Sequence, residues 1–177
     1  QNIVTAVSVQ AFVFFSEVER RQSILLSHLP GLAYRCSFDR DWTMQFVSDG
    51  CYNLTGYRSE SLLNNRELSY NDIISPQYRE LLWNEWTRLL EKKEPFRYEY
   101  EIMTASGERK WVLEMGQGIY SDDGEVEALE GIILDISDKK EIEENLIYLN
   151  EHDRWTGLLN RDYLEKLLEK DMAEQDM

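Results

Sequence analysis

The stretch FRYEYEIMT, which begins at Phe96, constrains the fold most. It sets Phe96, Tyr98, Tyr100 and Ile102 against Arg97, Glu99 and Glu101. A period of two puts successive side chains on opposite faces, so this segment is a strand with one buried and one solvated face. ASGE and SDDGE follow as turns, and the runs RKWVLEMGQGIY and EALEGIILDI beyond them read as two further strands. Strands joined by such short turns pair antiparallel. Any architecture for the chain must accommodate that meander.

Two more strand-like runs, LAYRCSF and MQFVS, are joined around DRD and suggest a hairpin. Between Cys51 and Lys93 lie helical pieces broken by Gly56, by Asn64-Asn65 and by Pro76, the last running through Leu81, Leu82, Trp86, Leu89 and Leu90. Two strands, a helical middle and three strands make an α+β domain: a five-stranded antiparallel sheet with helices on one side. A helical pattern from Val7 to Leu29 precedes it and stops at Pro30-Gly31, and Ser137 to His152 forms a helix after it. In that second helix Ile142, Leu146 and Leu149 make a narrow stripe of coiled-coil type, the alternative being a helix folded back onto its own sheet. The last stretch, EHDRWTGLLNRDYLEKLLEK, has Thr156-Gly157 between two helical patterns, with Asn160 or Asp162 as a cap and Tyr163, Leu164, Leu167 and Leu168 on one face.

The chain of 177 residues is 42% hydrophobic, enough for a core. Its 19 basic and 34 acidic side chains give a net charge of −15, which repels phosphate backbones and argues against a nucleic-acid partner. Cys36 and Cys51 have no CxxC spacing and no neighbouring His, so neither zinc nor a disulfide framework is indicated and a cytoplasmic setting fits. Asp39, Asp41, Asp122, Asp123 and Glu125 fall in turns, where Asp is favoured for backbone reasons, and no metal is expected. The apolar segment Ile3 to Phe15 is short for a spanning helix. It reads as part of an N-terminal helix or as the inner end of a longer inner-membrane anchor ending near Phe15, with Arg20 and Arg21 on the cytoplasmic side.

Taken in order, these segments resemble a PAS sensory domain. LPGLAYRCSFDRDWTMQFVSDGCYNLTGY is similar to the P-G-x-x-Y-R opening of one PAS subgroup, SGERKWV to its G-x-x-x-W hairpin, and GIILDISDKK to the PAC signature Gly-x-x-x-Asp-Ile-Ser/Thr that ends the last strand. HDRWTGLLNR resembles D-x-L-T-G-L-x-N-R, the opening of GGDEF diguanylate cyclase domains, with Asp153, Thr156, Gly157, Leu158, Asn160 and Arg161 in place and Trp155 where Leu is usual. After an N-terminal helix over 1–28, read from its own pattern, the resemblance implies a PAS domain over 29–138, a signalling linker helix over 139–152 and the start of a truncated GGDEF domain over 153–177. The GGDEF motif itself is absent, so no catalytic residues and no enzyme activity are expected of this chain.

The expected role is that of a sensor, relaying a signal through a coiled coil to a GGDEF output domain in cis that makes cyclic di-GMP from GTP. The alternatives are a stand-alone PAS interaction module and the sensor of a histidine kinase. His152 follows a helix as a phosphoacceptor would, but it is followed by Asp-Arg-Trp-Thr-Gly instead of the kinase pattern. No cofactor is evident: haem needs an axial ligand, and the histidines, His28 and His152, lie outside the domain. A photoreactive flavin needs a Cys in the helix after Gly56-Tyr57, where none occurs. A small organic ligand, or none, remains, with Tyr34, Trp42, Tyr98 and Tyr100 as candidate pocket residues and Arg35, Arg97 or Arg109 as a source of charge. By the same resemblance Asp135, Ile136, Ser137, Arg109 and Trp111 form the signal relay, Asp135 pairing with Arg109 or Lys110. Homodimerisation is expected through the helical ends, with Ile142, Leu146 and Leu149 as the seam.

Overall fold

The computed structural model describes residues 28, 30–153 and 156–175. The expected N-terminal helix, the Ile3–Phe15 segment and Trp155 lie outside the described residues. The chain divides into two compact units, one ending at Ile136 and one beginning at Ser137.

The first unit is built on a five-stranded sheet in the order β2-β1-β5-β4-β3, made of β1 (Gly31–Cys36), β2 (Met44–Val47), β3 (Phe96–Met103), β4 (Arg109–Tyr120) and β5 (Val126–Asp135). Every pairing is antiparallel. The two turns that the meander needs carry Gly107 at φ +83° and Gly124 at φ +87°, conformations open to glycine because it lacks Cβ. Between β1 and β2 the turn is held by Asp39, whose Oδ1 accepts from the amides of Asp41 (3.1 Å) and Thr43 (3.0 Å).

Four helices connect β2 to β3: α1 (Gly50–Thr55), α2 (Ser59–Leu62), α3 (Tyr70–Ile73) and α4 (Pro76–Glu91). Gly56 ends α1 in the left-handed region at φ +77°, its amide returning to the Tyr52 carbonyl. A capping box opens α3, Ser69 accepting from the Asp72 amide while the Asp72 carboxylate accepts from the Ser69 amide. Pro76 starts α4, where its missing N–H costs nothing. Leu82, Trp86 and Leu90 recur every four residues along α4, all buried, and Trp86 stacks on Phe96 of the sheet at 4.2 Å between ring centroids. The core lies between these helices and one face of the sheet, on which Leu32, Tyr34, Cys36, Phe96, Tyr100, Ile102, Val112, Leu129 and Ile133 are buried.

The second unit holds α5 (Ser137–Glu151) and α6 (Arg161–Gln175). Its junction is tied tightly. Asp153 Oδ1 accepts from the Thr156 amide (2.9 Å) and hydroxyl (2.8 Å), Gly157 sits at φ +69°, and Asn160 donates to the Asn150 carbonyl at 2.5 Å. Of the two expected caps it is Asn160 that accepts from the Tyr163 amide, at 2.8 Å.

Candidate functional site

The chemistry of the core centres on a residue that the sequence pattern did not single out. Glu114 stands in the middle of β4, opposite Tyr98 on one side and Ile133 on the other, on the face that packs against the helices. It is only 6% exposed. Tyr34 of β1 donates its hydroxyl to Oε1 at 2.5 Å, and Tyr100 of β3 donates to Oε2 at 2.8 Å. Tyr70 of α3 extends the chain, its hydroxyl 3.1 Å from that of Tyr100. Because Tyr100 gives its own proton to Glu114, it receives the proton of Tyr70, and the phenol dipoles converge on one carboxylate.

Burial pushes the Glu114 carboxyl up to about 7, against the opposing hydrogen bonds of Tyr34, Tyr100 and Trp86. The same burial, followed by the nearby Glu114 charge, pushes Tyr34, Tyr70 and Tyr100 well above the usual phenol range. Cys36 moves up for the same two reasons. Space for the Tyr34 ring comes from Gly116 and Gly131, paired across β4 and β5. A Cβ on either would approach the Tyr34 hydroxyl to 2.8 or 2.9 Å.

Beside Glu114 is a cavity of about 10 Å³, room for about one water, lined by Tyr34, Trp42, Met44, Tyr70 and Trp86 among others. Of the expected pocket residues, Tyr34 and Trp42 line it and Tyr100 reaches Glu114 without lining it. Tyr98, opposite Glu114 in the register, does not line the cavity and packs half-buried against Phe96 at 6.2 Å. The expected arginines do not supply the charge. Strand alternation turns Arg35, between Tyr34 and Cys36, to the other face, where it pairs with Glu130 at 2.5 Å, and it leaves Arg97 exposed. Arg109, at the start of β4, is exposed as well. The charged group of the core is an acid.

A second constellation sits where β1 begins and β5 ends. The Lys110 ammonium lies 3.3 Å from Asp135 Oδ2 and 3.3 Å from the Asn53 carbonyl. Lys110, not Arg109, holds the carboxylate, because Arg109 alternates to the opposite side of β4. The Asp135 amide donates to the Pro30 carbonyl at 2.8 Å and the Ile136 amide to Trp111 at 2.9 Å, while Trp111 meets the ring of Tyr78 edge-on at 6.1 Å. Pro30, Asp49, Gly50, Asn53 and Asp135 border an open pocket of about 340 Å³ at this corner. Ser137 is the first residue of α5. In the second unit Ile142, Leu146 and Leu149 are each more than half exposed, as are Ile147 and Tyr148. Among the described residues no group of three or more His, Cys, Asp or Glu is placed to hold a metal ion.

This architecture, a five-stranded antiparallel sheet with short helices over one face and an acid in the core, is that of a small sensory domain. The chain belongs to the PAS fold family, whose model matches residues 44–133. It is 30% identical over 136 residues to a methyl sulfide methyltransferase-associated sensor of Methanosarcina acetivorans, covering 76% of this chain and 13% of that protein. It is 29% identical over 104 residues to an uncharacterised protein of Sinorhizobium fredii, covering 55% of this chain and again 13% of the relative. The chain thus matches a small part of the length of these curated relatives.

Many solved structures share the fold. The N-terminal domain of a diguanylate cyclase with PAS/PAC sensor from Marinobacter aquaeolei superposes with a TM-score of 0.53 at 19% identity, over 62% of this chain and 98% of that one. A sensory box histidine kinase/response regulator from Burkholderia thailandensis gives 0.58 at 23% identity, over 71% and 92%.

Proposed function

We propose that this chain is the sensory and linker portion of a bacterial diguanylate cyclase, in which the PAS domain controls a GGDEF output domain that joins two GTP molecules into cyclic di-GMP. The observation that carries this reading is the stretch from Asp153 to Arg161, whose residues resemble the opening of GGDEF domains. Its Asp153, Thr156, Gly157 and Asn160 are the residues that make the hydrogen-bonded junction between α5 and α6. A signal received in the core alters the pairing of β4 with β5, and the Lys110–Asp135 pair passes that change to the helix beginning at Ser137. Two copies associate in parallel through their helical ends, the stripe of Ile142, Leu146 and Leu149 forming part of the seam, and so bring two output domains face to face or hold them apart. The setting is cytoplasmic. Among the described residues no helix is long and apolar enough to cross a membrane.

The runner-up is the sensor of a histidine kinase, which the likeness to the Burkholderia thailandensis protein brings forward. His152 does not favour it, since its ring stacks on Tyr148 at 4.1 Å and its Nδ1 lies 3.1 Å from the Tyr148 carbonyl. With GTP and magnesium the full-length parent should form cyclic di-GMP and this chain alone none. Asp135→Asn in the parent should leave turnover intact and make it indifferent to the signal; turnover by the isolated chain, or unaltered regulation in the variant, would refute the reading.

A further inference from the structure

Glu114 is surrounded by donors but by no counter-charge. Its two oxygens accept from Tyr34 and Tyr100, and Trp86 adds an indole N–H. Among the described residues no Lys, Arg or His pairs with it, whereas Asp135, Glu80, Glu85 and Glu130 on the surface all have basic partners. Hydrogen bonds satisfy lone pairs; they do not supply the positive charge that a buried carboxylate needs to be held at low cost. The cavity that opens beside Glu114 is walled by the aromatic side chains Tyr34, Trp42, Tyr70 and Trp86. Aromatic walls and a buried acid repel anions and offer neutral ligands little beyond contact, but both attract a cation with N–H donors.

We infer that the core is a binding site for a small organic cation of the primary or methylated ammonium class, its nitrogen pairing with Glu114 among Tyr34, Trp42, Tyr70 and Trp86. The present cavity, about 10 Å³, fits the ammonium group itself. Trp42 is the wall through which a substituent extends. It is one of the few non-glycine residues in the left-handed region, at φ +51°, a conformation that costs about 1–2 kcal/mol and marks a backbone held under constraint. Trp42 also lines an outer pocket of about 230 Å³ with Arg40, Asp41, Arg79 and Glu80, so turning its ring joins the interior cavity to the surface. The inference deepens the sensory reading by naming what the core receives, and rests on it only for the consequence of binding.

The groups that face Glu114 are Tyr34 and Cys36 from β1, Tyr98 and Tyr100 from β3, Tyr70 from α3 and Trp86 from α4, while β5 brings the uncharged Ile133. Burial moves Tyr34, Tyr70, Tyr100 and Cys36 upward, so these four stay neutral where Glu114, pushed up to about 7, titrates. A protonated amine therefore binds about tenfold more tightly at about pH 8 than at about pH 6, as Glu114 becomes an anion.

The test is titration of the full chain with methylammonium chloride, with sodium chloride and methanol as matched controls, followed by tryptophan fluorescence and by thermal midpoint. The expected result is a saturable change with methylammonium alone, tightening about tenfold over that pH interval and weakening about tenfold or more in Glu114→Gln. Far-UV circular dichroism establishes that the variant is folded, and the comparison of methylammonium with methanol in the wild type needs no variant. Equal effects of methylammonium and methanol, affinity indifferent to pH, or undiminished binding in folded Glu114→Gln would each overturn the inference. None of these would touch the relay, which is read from Asp135→Asn in the parent.

Discussion

Replacing Glu114 by Gln in the ligand-free chain should change how stability responds to pH. As pH rises, the unfolded chain releases this proton near the ordinary value of 4.5, whereas the folded chain holds it to about 7. Between those values the folded state binds more protons than the unfolded state, so stability falls; below about 4.5 the acid costs nothing relative to the unfolded chain, and above about 7 the cost is constant. With each pKa unit worth 1.36 kcal/mol, the loss from about pH 5 to about pH 8 is on the order of 2–3 kcal/mol. Gln keeps one acceptor oxygen, turns an NH2 towards the other of the Tyr34 and Tyr100 hydroxyls, which can accept from it, and has no proton to lose. Urea unfolding of both proteins across this interval isolates the contribution, because the surface carboxylates are common to them. Wild type should lose on the order of 2–3 kcal/mol relative to the variant on going to high pH. Two curves that run parallel to within about 0.5 kcal/mol would refute the burial argument for Glu114.

Three further outcomes follow from packing. Gly116→Ala places a Cβ 2.8 Å from the Tyr34 hydroxyl and 2.9 Å from the Glu130 carbonyl, so the urea midpoint should drop by the equivalent of about 1–3 kcal/mol; an unchanged midpoint would mean that the notch between β4 and β5 is slack. Ser69→Ala removes the capping box of α3 and should cost about 1 kcal/mol in the same assay. Leu146→Glu should shift any dimer seen by light scattering towards monomer on dilution without altering the unfolding of the first unit, and dimers indifferent to the change would remove α5 from the seam.

The alternation from Phe96 to Ile102 was legible because β3 is wet on one side and buried on the other, so its side chains sort themselves by polarity. β4 and β5 gave a weaker signal about facing. Trp111, Leu113 and Met115 are apolar on the outer face, and Val112, Glu114 and Gly116 alternate with them on the inner face. A strand with a hydrophobic outer face and an acid inside reads backwards by polarity alone. Glu114 could have been placed by register instead: the short turn between β3 and β4 sets Tyr98 opposite Glu114 and Tyr100 opposite Val112, and Tyr98 and Tyr100 were already assigned inward. The same accounting would have turned Arg35 and Arg97 outward. The left-handed Trp42 carried no local signal, since a bulky residue is a poor candidate for that region and its conformation is imposed by the hairpin and the aromatic packing around it. The capping of α6 by Asn160 was half legible, because two suitable residues lie two apart and only the geometry of the junction chooses between them.

In the sheet order the first and last strands are neighbours, and the Asp135 amide is bonded to the Pro30 carbonyl. The start of β1 and the end of β5 are therefore side by side. A sheet domain whose ends meet in this way can be spliced into a host chain at a single exposed position without separating what lies before it from what lies after it. Its gain or loss leaves the host's own geometry nearly unchanged, so new inputs can be acquired by transplantation, with refinement of the core following afterwards.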